Sequence, residues 1–264
     1  MSSRYWIEQS TRQMAAFDKS TVCVLPTAAV EQHGPHLPLG VDALINRGII
    51  AAMLNVLPDT VPALILPEQS VGASAEHLRS SGTLSHRHVR LIEHWTELLE
   101  GVHRAGFKRV VIYNSHGGNR DLFYPIAVDL RQRFDMLVAY SSRSDAGVPA
   151  DILDLPNLGF DIHAGAIETS IMMALRPDLV ATDQIQDFPS NAIGFESRFT
   201  KLGAGVGGSR AAGFGWLSGD LNEFGACGDA TAASADIGQR LVDHAADTLA
   251  KVIEDVWGAN ELVS

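Results

Sequence analysis

An apolar run, Thr21-Val-Cys-Val-Leu-Pro26, leads within a few residues into Glu31-Gln-His33-Gly-Pro-His-Leu-Pro-Leu-Gly-Val-Asp42. A short, β-branched, uninterrupted apolar segment bounded by turn residues reads as a strand covered on both faces. Such a strand needs helices above and below it. The segment after the strand constrains the chain further, because three residues of metal-ligand type fall within one short stretch. In extended backbone, side chains two apart share a face, so Glu31 and His33 reach one locus. The Gly34-Pro35 break then turns the chain and brings Asp42 back, and a carboxylate so placed can bridge two ions.

A second run of the same kind, Arg109-Val-Val-Ile-Tyr-Asn114, continues into Ser115-His116-Gly-Gly-Asn119. Strands are expected near 21–26, 62–67, 108–113 and 136–141, alternating with helical patterns near 43–57, 85–105 and 119–133. That alternation is the signature of parallel βαβ units. The expected fold is therefore α/β, a three-layer α/β/α arrangement around a mostly parallel sheet, with residues 1–264 as a single domain. In open sheets of this type ligands bind beyond the carboxyl ends of the strands, where both ligand-bearing segments fall.

A third segment, Asp161-Ile-His163-Ala-Gly-Ala-Ile-Glu168-Thr-Ser, precedes the apolar run Ile171-Met-Met-Ala-Leu175. His163 and Glu168 are five apart and do not share a helical face. His163 is expected in the loop approaching a helix and Glu168 in its first turn, where a carboxylate also suits the helix dipole. Each segment alone is ordinary turn or helix-start chemistry. Three together, two at strand ends, point to a metal site.

Other features are less specific. The stretch from Ser142 to Gly159 is rich in Asp, Pro and Gly and is expected to be a long loop beside the site. The glycine-rich segment Gly203 to Gly215 has no strand before it, so a dinucleotide-binding reading is weak and a mobile loop is expected. The closing helix shows Ile237, Leu241, Ala245, Leu249 and Ile253 at about one turn, with Asp229 expected as its cap. His86, His88, His94 and His103 fall on one predicted helix among charged residues and read as a solvated face.

Composition excludes more than it selects. The 264 residues are 46% hydrophobic, enough for one substantial core, and carry a formal net charge of −11. That charge argues against nonspecific binding to nucleic acid or anionic membrane. Only two cysteines occur, so no disulfide framework is implied. With no secretory leader or membrane-span pattern, a cytoplasmic location is expected.

Leu25-Pro-Thr-Ala-Ala-Val-Glu31-Gln-His33 through Asp42, together with Asn114-Ser-His116-Gly-Gly-Asn119 and His163-Ala-Gly-Ala-Ile-Glu168-Thr-Ser170, resembles the creatininase (creatinine amidohydrolase) family. The resemblance extends through Gly72-Ala-Ser-Ala-Glu-His77 and Ser80-Ser-Gly-Thr-Leu84 to Gly215-Trp216 and Gly228-Asp-Ala-Thr231. It implies an α/β/α fold and a two-metal centre hydrolysing a non-peptide carbon–nitrogen bond, in a homo-oligomer for which a hexamer is the family's suggestion. Carried over, Glu31 and His116 would bind one ion, His33 the other, and Asp42 would bridge them. Ser74 and His77 are placed near the substrate. Two departures stand out. Creatininase has a glutamate ligand two residues after the histidine matching His116, where this chain has Gly118; Glu168 is the expected replacement. Creatininase also has a substrate-covering tryptophan four residues before the histidine matching His163. Here Gly159-Phe160-Asp161 stands instead, so creatinine is not the expected substrate, and Phe160 is the aromatic expected against it.

Two divalent ions bridged by Asp42 would lower the pKa of a shared water and polarise an amide carbonyl. His163 is the expected acid for the expelled nitrogen. Zinc is the expected metal, with manganese or iron as alternatives for a carboxylate-rich site holding two histidines. The expected function is hydrolysis of a small amide, a lactam or formamide. A metal-dependent peptidase of peptide-derived cofactor maturation and a non-catalytic metal-binding protein are the competing readings.

Overall fold

The computed structural model describes residues 3–208 and 210–263. Four parallel strands, β1 (Val22–Thr27), β2 (Ala63–Ile65), β3 (Arg109–Asn114) and β4 (Leu137–Ser142), form a sheet in the order β2-β1-β3-β4. The two ligand-bearing strands are thus the central pair, in register from Val22 opposite Arg109 to Thr27 opposite Asn114. β2 is shorter than its apolar run because Pro62 and Pro67 lack the N–H a longer ladder needs.

Strand alternation decides which layer each side chain joins. Val22, Val24, Val111 and Tyr113 pack with α2 (Val41–Val56), α5 (Ala166–Leu175) and α8 (Ala235–Gly258). Cys23, Leu25, Val110 and Ile112 face the opposite way, onto α3 (His88–Arg104) and α4 (Phe123–Phe134). This is the three-layer α/β/α fold expected. A short α1 (Thr11–Ala16), closed by a Ser10/Gln13 capping box, precedes β1. A satellite cluster outside the sheet involves α6 (Ala192–Arg198), α7 (Ser218–Leu221) and the two-residue strand pairs β5 (Asp187–Phe188) with β8 (Gly228–Asp229) and β6 (Leu202–Gly203) with β7 (Ala212–Gly213).

Three expectations are refined. The helix expected over 119–133 is a 3-10 turn, Gly117–Leu122, followed by α4, whose Pro125 sits in the first turn where no N–H is required. His86 lies before α3, although His86, His88 and His94 are exposed as expected. Asp229 does not cap the closing helix. Its carboxylate accepts from Thr231 N in the short turn Ala230–Ala232, and Ser234 caps α8 by accepting from Ile237 N. The helix begins at Ala235, six residues beyond Asp229, and Ser234 is the residue directly before it. The loop from Ser142 to Gly159 is irregular apart from two 3-10 turns, Arg143–Ala146 and Leu158–Phe160.

The tightest approach in the fold is α8 against α5. A Cβ added at Gly238 would lie 1.9 Å from the Ser170 carbonyl oxygen, so the two helix backbones meet there without an intervening side chain. Gly238→Ala forces them apart against a close-packed core. It is expected to lower stability by about 1–3 kcal/mol, read as a shift in the denaturant midpoint at unchanged slope.

Candidate metal centre

At the carboxyl edge the strand ends are joined by side-chain amides. Asn114 Oδ1 accepts from His116 N at 3.2 Å and from Thr27 Oγ1 at 3.2 Å, while its Nδ2 donates to His116 O at 2.6 Å. Asn46 on α2 donates to Thr27 O, Tyr113 O and Ser115 Oγ. Ser115 Oγ in turn donates to Asp42 O at 2.8 Å. The helix that carries Asp42 is therefore tied to the strand that delivers His116.

The expected ligands converge. His33 Nε2 lies 3.9 Å from Asp42 Oδ1 and 3.7 Å from Glu168 Oε2. His116 Nδ1 lies 3.5 Å from Asp42 Oδ2 and 3.2 Å from Glu31 Oε1. Asp42 thus presents one oxygen to each histidine. Four overlapping groups among the described residues could hold a cation: Glu31/Asp42/His116, His33/Asp42/Glu168, Glu31/His33/His163 and Glu31/Glu76/His77, the first two sharing Asp42.

Hydrogen bonds on the far side of each ring fix the tautomers. His33 Nδ1–H donates to Glu31 O at 3.0 Å, and His116 Nε2–H donates to Ala73 O at 2.8 Å. Each ring therefore turns an unprotonated nitrogen toward carboxylates when neutral, as metal-binding histidines do. Glu31 Oε2, His33 Nε2 and Asp42 Oδ2 are buried without a hydrogen-bond partner. Lone pairs facing carboxylates at this burial cost about 1–3 kcal/mol each or more, and a cation shared between them removes the cost. The donor set fits a pair of divalent ions.

The proton affinities reflect the same crowding. Burial, with His163, pushes His33 down to about 4. Burial and then the Glu31 charge drive Asp42 well above the usual carboxylate range. For His116 burial works against the charged form, but Glu31, Asp42 and Glu76 outweigh it and push the imidazole up to about 10. Burial raises Glu31 and Glu168, yet the neighbouring histidines bring both below their ordinary value.

His163 sits above this cluster. Its Nε2–H donates to Gln32 O at 2.6 Å, leaving Nδ1 3.7 Å from Glu31 Oε1. The turn that places it has Ala164 at φ 55°, a left-handed conformation costly for a residue with a Cβ, which aims Ala164 N–H at Glu168 Oε2 at 2.7 Å. His77 joins the cluster with Nε2 3.4 Å from Glu31 Oε1. Burial and His163 push its imidazole down to about 3.

Ser74 and Phe160 stand elsewhere than expected. Ser74 is wholly buried at the start of the turn carrying His77 and has no access to the cleft. Phe160 packs against Gly207 and the satellite cluster and is not part of the lining of the cleft over the metal cluster. Sequence reading missed Gln32. Its Nε2 donates to His77 Nδ1 at 2.7 Å and to Gly225 O at 2.9 Å, so it braces both histidines that flank Glu31. Strand alternation between Glu31 and His33 points Gln32 away from their locus, and no pattern marks a brace. Glu76, beside the cleft 3.7 Å from His116 Nε2, was missed too.

Gly118 has a positional reason. A Cβ there would lie 2.3 Å from Ala73 O and 2.6 Å from His116 Nε2. The carbonyl that sets the His116 tautomer therefore occupies the space a side chain would need. A cleft of about 720 Å³ opens over the cluster, walled by Glu76, Arg143, Leu158, Val206 and Trp216 among others.

Fold and cluster together define an α/β protein with a buried carboxylate–histidine centre at the sheet's carboxyl edge. The chain belongs to the creatininase family: the family described as creatinine amidohydrolase matches residues 8–253. It is 30% identical over 223 residues to a mycofactocin precursor peptide peptidase from Mycolicibacterium smegmatis, covering 83% of this chain and 78% of the relative. It is 30% identical over 201 residues to a creatinine amidohydrolase from Pseudomonas putida, covering 70% and 74%. Two solved structures share the fold. A creatininase described as a manganese form has a TM-score of 0.75 at 23% identity. A mutant creatininase of zinc–zinc type has a TM-score of 0.76 at 24% identity, and each comparison covers 96% of this chain and 98% of the other.

Gly118→Ala is expected to push Ala73 away and free the His116 ring. Stability should fall by about 1–3 kcal/mol, and the His116 Nε2–H should lose its hydrogen-bonded shift in ¹⁵N NMR of the histidines. An unchanged Nε2–H signal would show that Ala73 does not hold the ring.

Proposed function

We propose that the protein is a dinuclear metal-dependent amide hydrolase. The observation that carries this reading is Asp42, whose two oxygens face His33 and His116 separately. Glu31 and His116 would hold one ion, His33 and Glu168 the other, with Asp42 shared. Zinc is the metal proposed, with manganese or iron as alternatives; the zinc–zinc and manganese creatininases support the first two. Bound there, divalent ions supply Lewis acidity that lowers the pKa of water and polarises an amide carbonyl.

The chain's own residues do the remaining work. Gln32 O accepts the Nε2 proton of His163, so a second proton taken up at Nδ1 faces the cluster and is available to the departing nitrogen. The His163 side chain keeps 11% exposure, which lets it exchange protons with solvent. His77, with Nδ1 occupied by Gln32, directs its Nε2–H at Glu31 and orients that carboxylate.

The bond proposed is a carbon–nitrogen amide bond outside the peptide backbone of proteins, in a lactam, formamide or larger amide. A second reading, a peptidase, is favoured by the cleft, because about 720 Å³ is the scale of pockets that hold drug-sized ligands. The name of the mycobacterial relative points the same way. A metal-loaded activity screen over cyclic amides, N-formyl compounds and short peptides separates the two, and no turnover of any class would leave only metal binding. A cytoplasmic setting is proposed from the two cysteines, both free, and a homo-oligomer from family membership. No helix among the described residues is long and apolar enough to cross a membrane.

Elemental analysis of the reconstituted protein is expected to give close to two divalent ions per chain. Asp42→Ala should lose both, His33→Ala mainly one, and Glu168→Gln should lower metal content as well as rate. Loading should also depend on pH. In the metal-free chain the raised His116 pKa contributes stability that is full below about 6.5 and is lost as pH rises through about 10. A cation must displace that proton, so affinity should climb about tenfold per pH unit below 10 for each proton released. Flat affinity between pH 6 and 8 would contradict the assignment of His116 as a ligand.

His163→Ala is expected to retain both ions and to lower kcat by about a hundred- to ten-thousandfold. The loss should shrink for an anilide bearing electron-withdrawing groups, whose nitrogen departs without needing a proton. Equal losses on both substrates would assign His163 to the oxyanion or to the metals.

A further inference from the structure

Two arginines line the cleft, and while Arg120 is paired with Asp145, Arg143 is not paired among the described residues. Arg143, the first residue after β4, lines the cleft with Ser142 and Ser144 and is partly buried. Among the described residues it forms no ion pair and no hydrogen bond, although its charge acts on Asp42 and Glu168.

Its isolation has a structural origin. Asp145, the carboxylate two residues on, is already engaged. One oxygen accepts from Arg120 Nη2, and the other accepts from Ser142 N at 2.9 Å and Ser142 Oγ at 2.7 Å. Glu31, Asp42 and Glu168 are committed to the buried cluster. Arg143 is thus kept beside the cluster with no carboxylate of its own, and its planar guanidinium is suited to a two-point contact with one. The wall also carries an apolar stretch, Val148, Leu158, Ile162, Val206 and Trp216, with Glu76, Asp161 and the Asp145-paired Arg120 among its polar residues.

We propose that Arg143 is an anion-recognition residue and that the substrate is an amide bearing a carboxylate, with an apolar portion lying along the Leu158–Val206–Trp216 wall. Two divalent ions among Glu31, Asp42 and Glu168 would neutralise those carboxylates, so Arg143 leaves the loaded cleft with an unpaired positive charge that a substrate carboxylate can meet. The scissile bond in this proposal rests on the amide-hydrolase reading; the anion subsite does not.

The test uses the zinc-loaded full chain and N-acetylated glycine, leucine and phenylalanine, each as the free acid and as its primary amide. Affinity is read as Kd by calorimetry for compounds that are not turned over and as KM for those that are. For at least one pair the wild type should favour the acid by about ten- to a hundredfold. Arg143→Gln should abolish that preference, and Arg143→Lys should retain part of it, at unchanged metal content and melting temperature. If no acid binds better than its amide, or if Arg143→Gln keeps the preference, the proposal is overturned. A loss of kcat of equal size on acids and amides would also overturn it, assigning Arg143 to the developing oxyanion. Arg143-dependent binding without any turnover would sink the hydrolase reading while leaving the subsite in place.

Discussion

The pairing of β1 with β3 is the constraint on which the carboxyl edge depends. Six residues of each strand are in parallel register, ending with Thr27 opposite Asn114. Beyond that point the ladder stops, and each chain must find partners for its freed backbone groups. Asn114, Asn46 and Asn119 supply them, bridging Thr27, Tyr113, His116, Ala28 and Ala73. Because these amides are buried and hydrogen-bonded across both strand ends, the loops after the two strands cannot shift independently. Glu31 and His116, 85 positions apart in the chain, are consequently held 3.2 Å apart.

The cluster they join is costly to the folded chain. Glu31, Asp42 and Glu168 are all buried, with Asp42 within reach of both glutamates and His33, His77 and His116 among them. Burial alone opposes every charge there, and the pairings are incomplete, as the unpartnered atoms of Glu31, His33 and Asp42 show. Natural folds violate polar satisfaction in this way mainly where a ligand completes the set. The histidine tautomers are arranged beforehand by Ala73 and Glu31 carbonyls, so a cation meets lone pairs already aimed.

The departure at Gly118 belongs to this economy of space. The Ala73 carbonyl fills the position a side chain would occupy after His116, and Glu168 lies 3.7 Å from His33 from the first turn of α5. Its orientation depends on the left-handed Ala164 and on Gly165, where a Cβ would lie 2.3 Å from the Asp161 carboxylate. Asp161 itself, pushed up to about 6 by burial, accepts from Ala166 N at 2.7 Å and anchors the start of that helix. The cleft wall is then completed by the irregular segments after β4 and around Trp216, whose indole donates to Ala204 O.

The sequence alone was enough to read the layers and to mark most of the histidines and carboxylates that the fold gathers at the carboxyl edge. Apolar runs of strand length alternating with amphipathic segments leave few arrangements other than parallel βαβ units, and the Glu31/His33 spacing carries its own geometry in extended backbone. Those signals are local, so they survive without knowledge of neighbours. Tertiary structure alone decided the rest. Gln32 braces His77 and His163 through contacts 45 and 131 positions away, which no local period encodes. Phe160 and Ser74 lie in segments beside the cluster, yet the Phe160 ring packs against Gly207 and Ser74 is completely buried. Asp229 lost the cap of α8 to Ser234, the residue directly before the helix. Arg143 became the unpaired cation of the cleft only because Arg120, across the fold, holds Asp145. Side-chain direction and charge pairing depend on what packs from other segments, and that is the information a linear pattern does not contain.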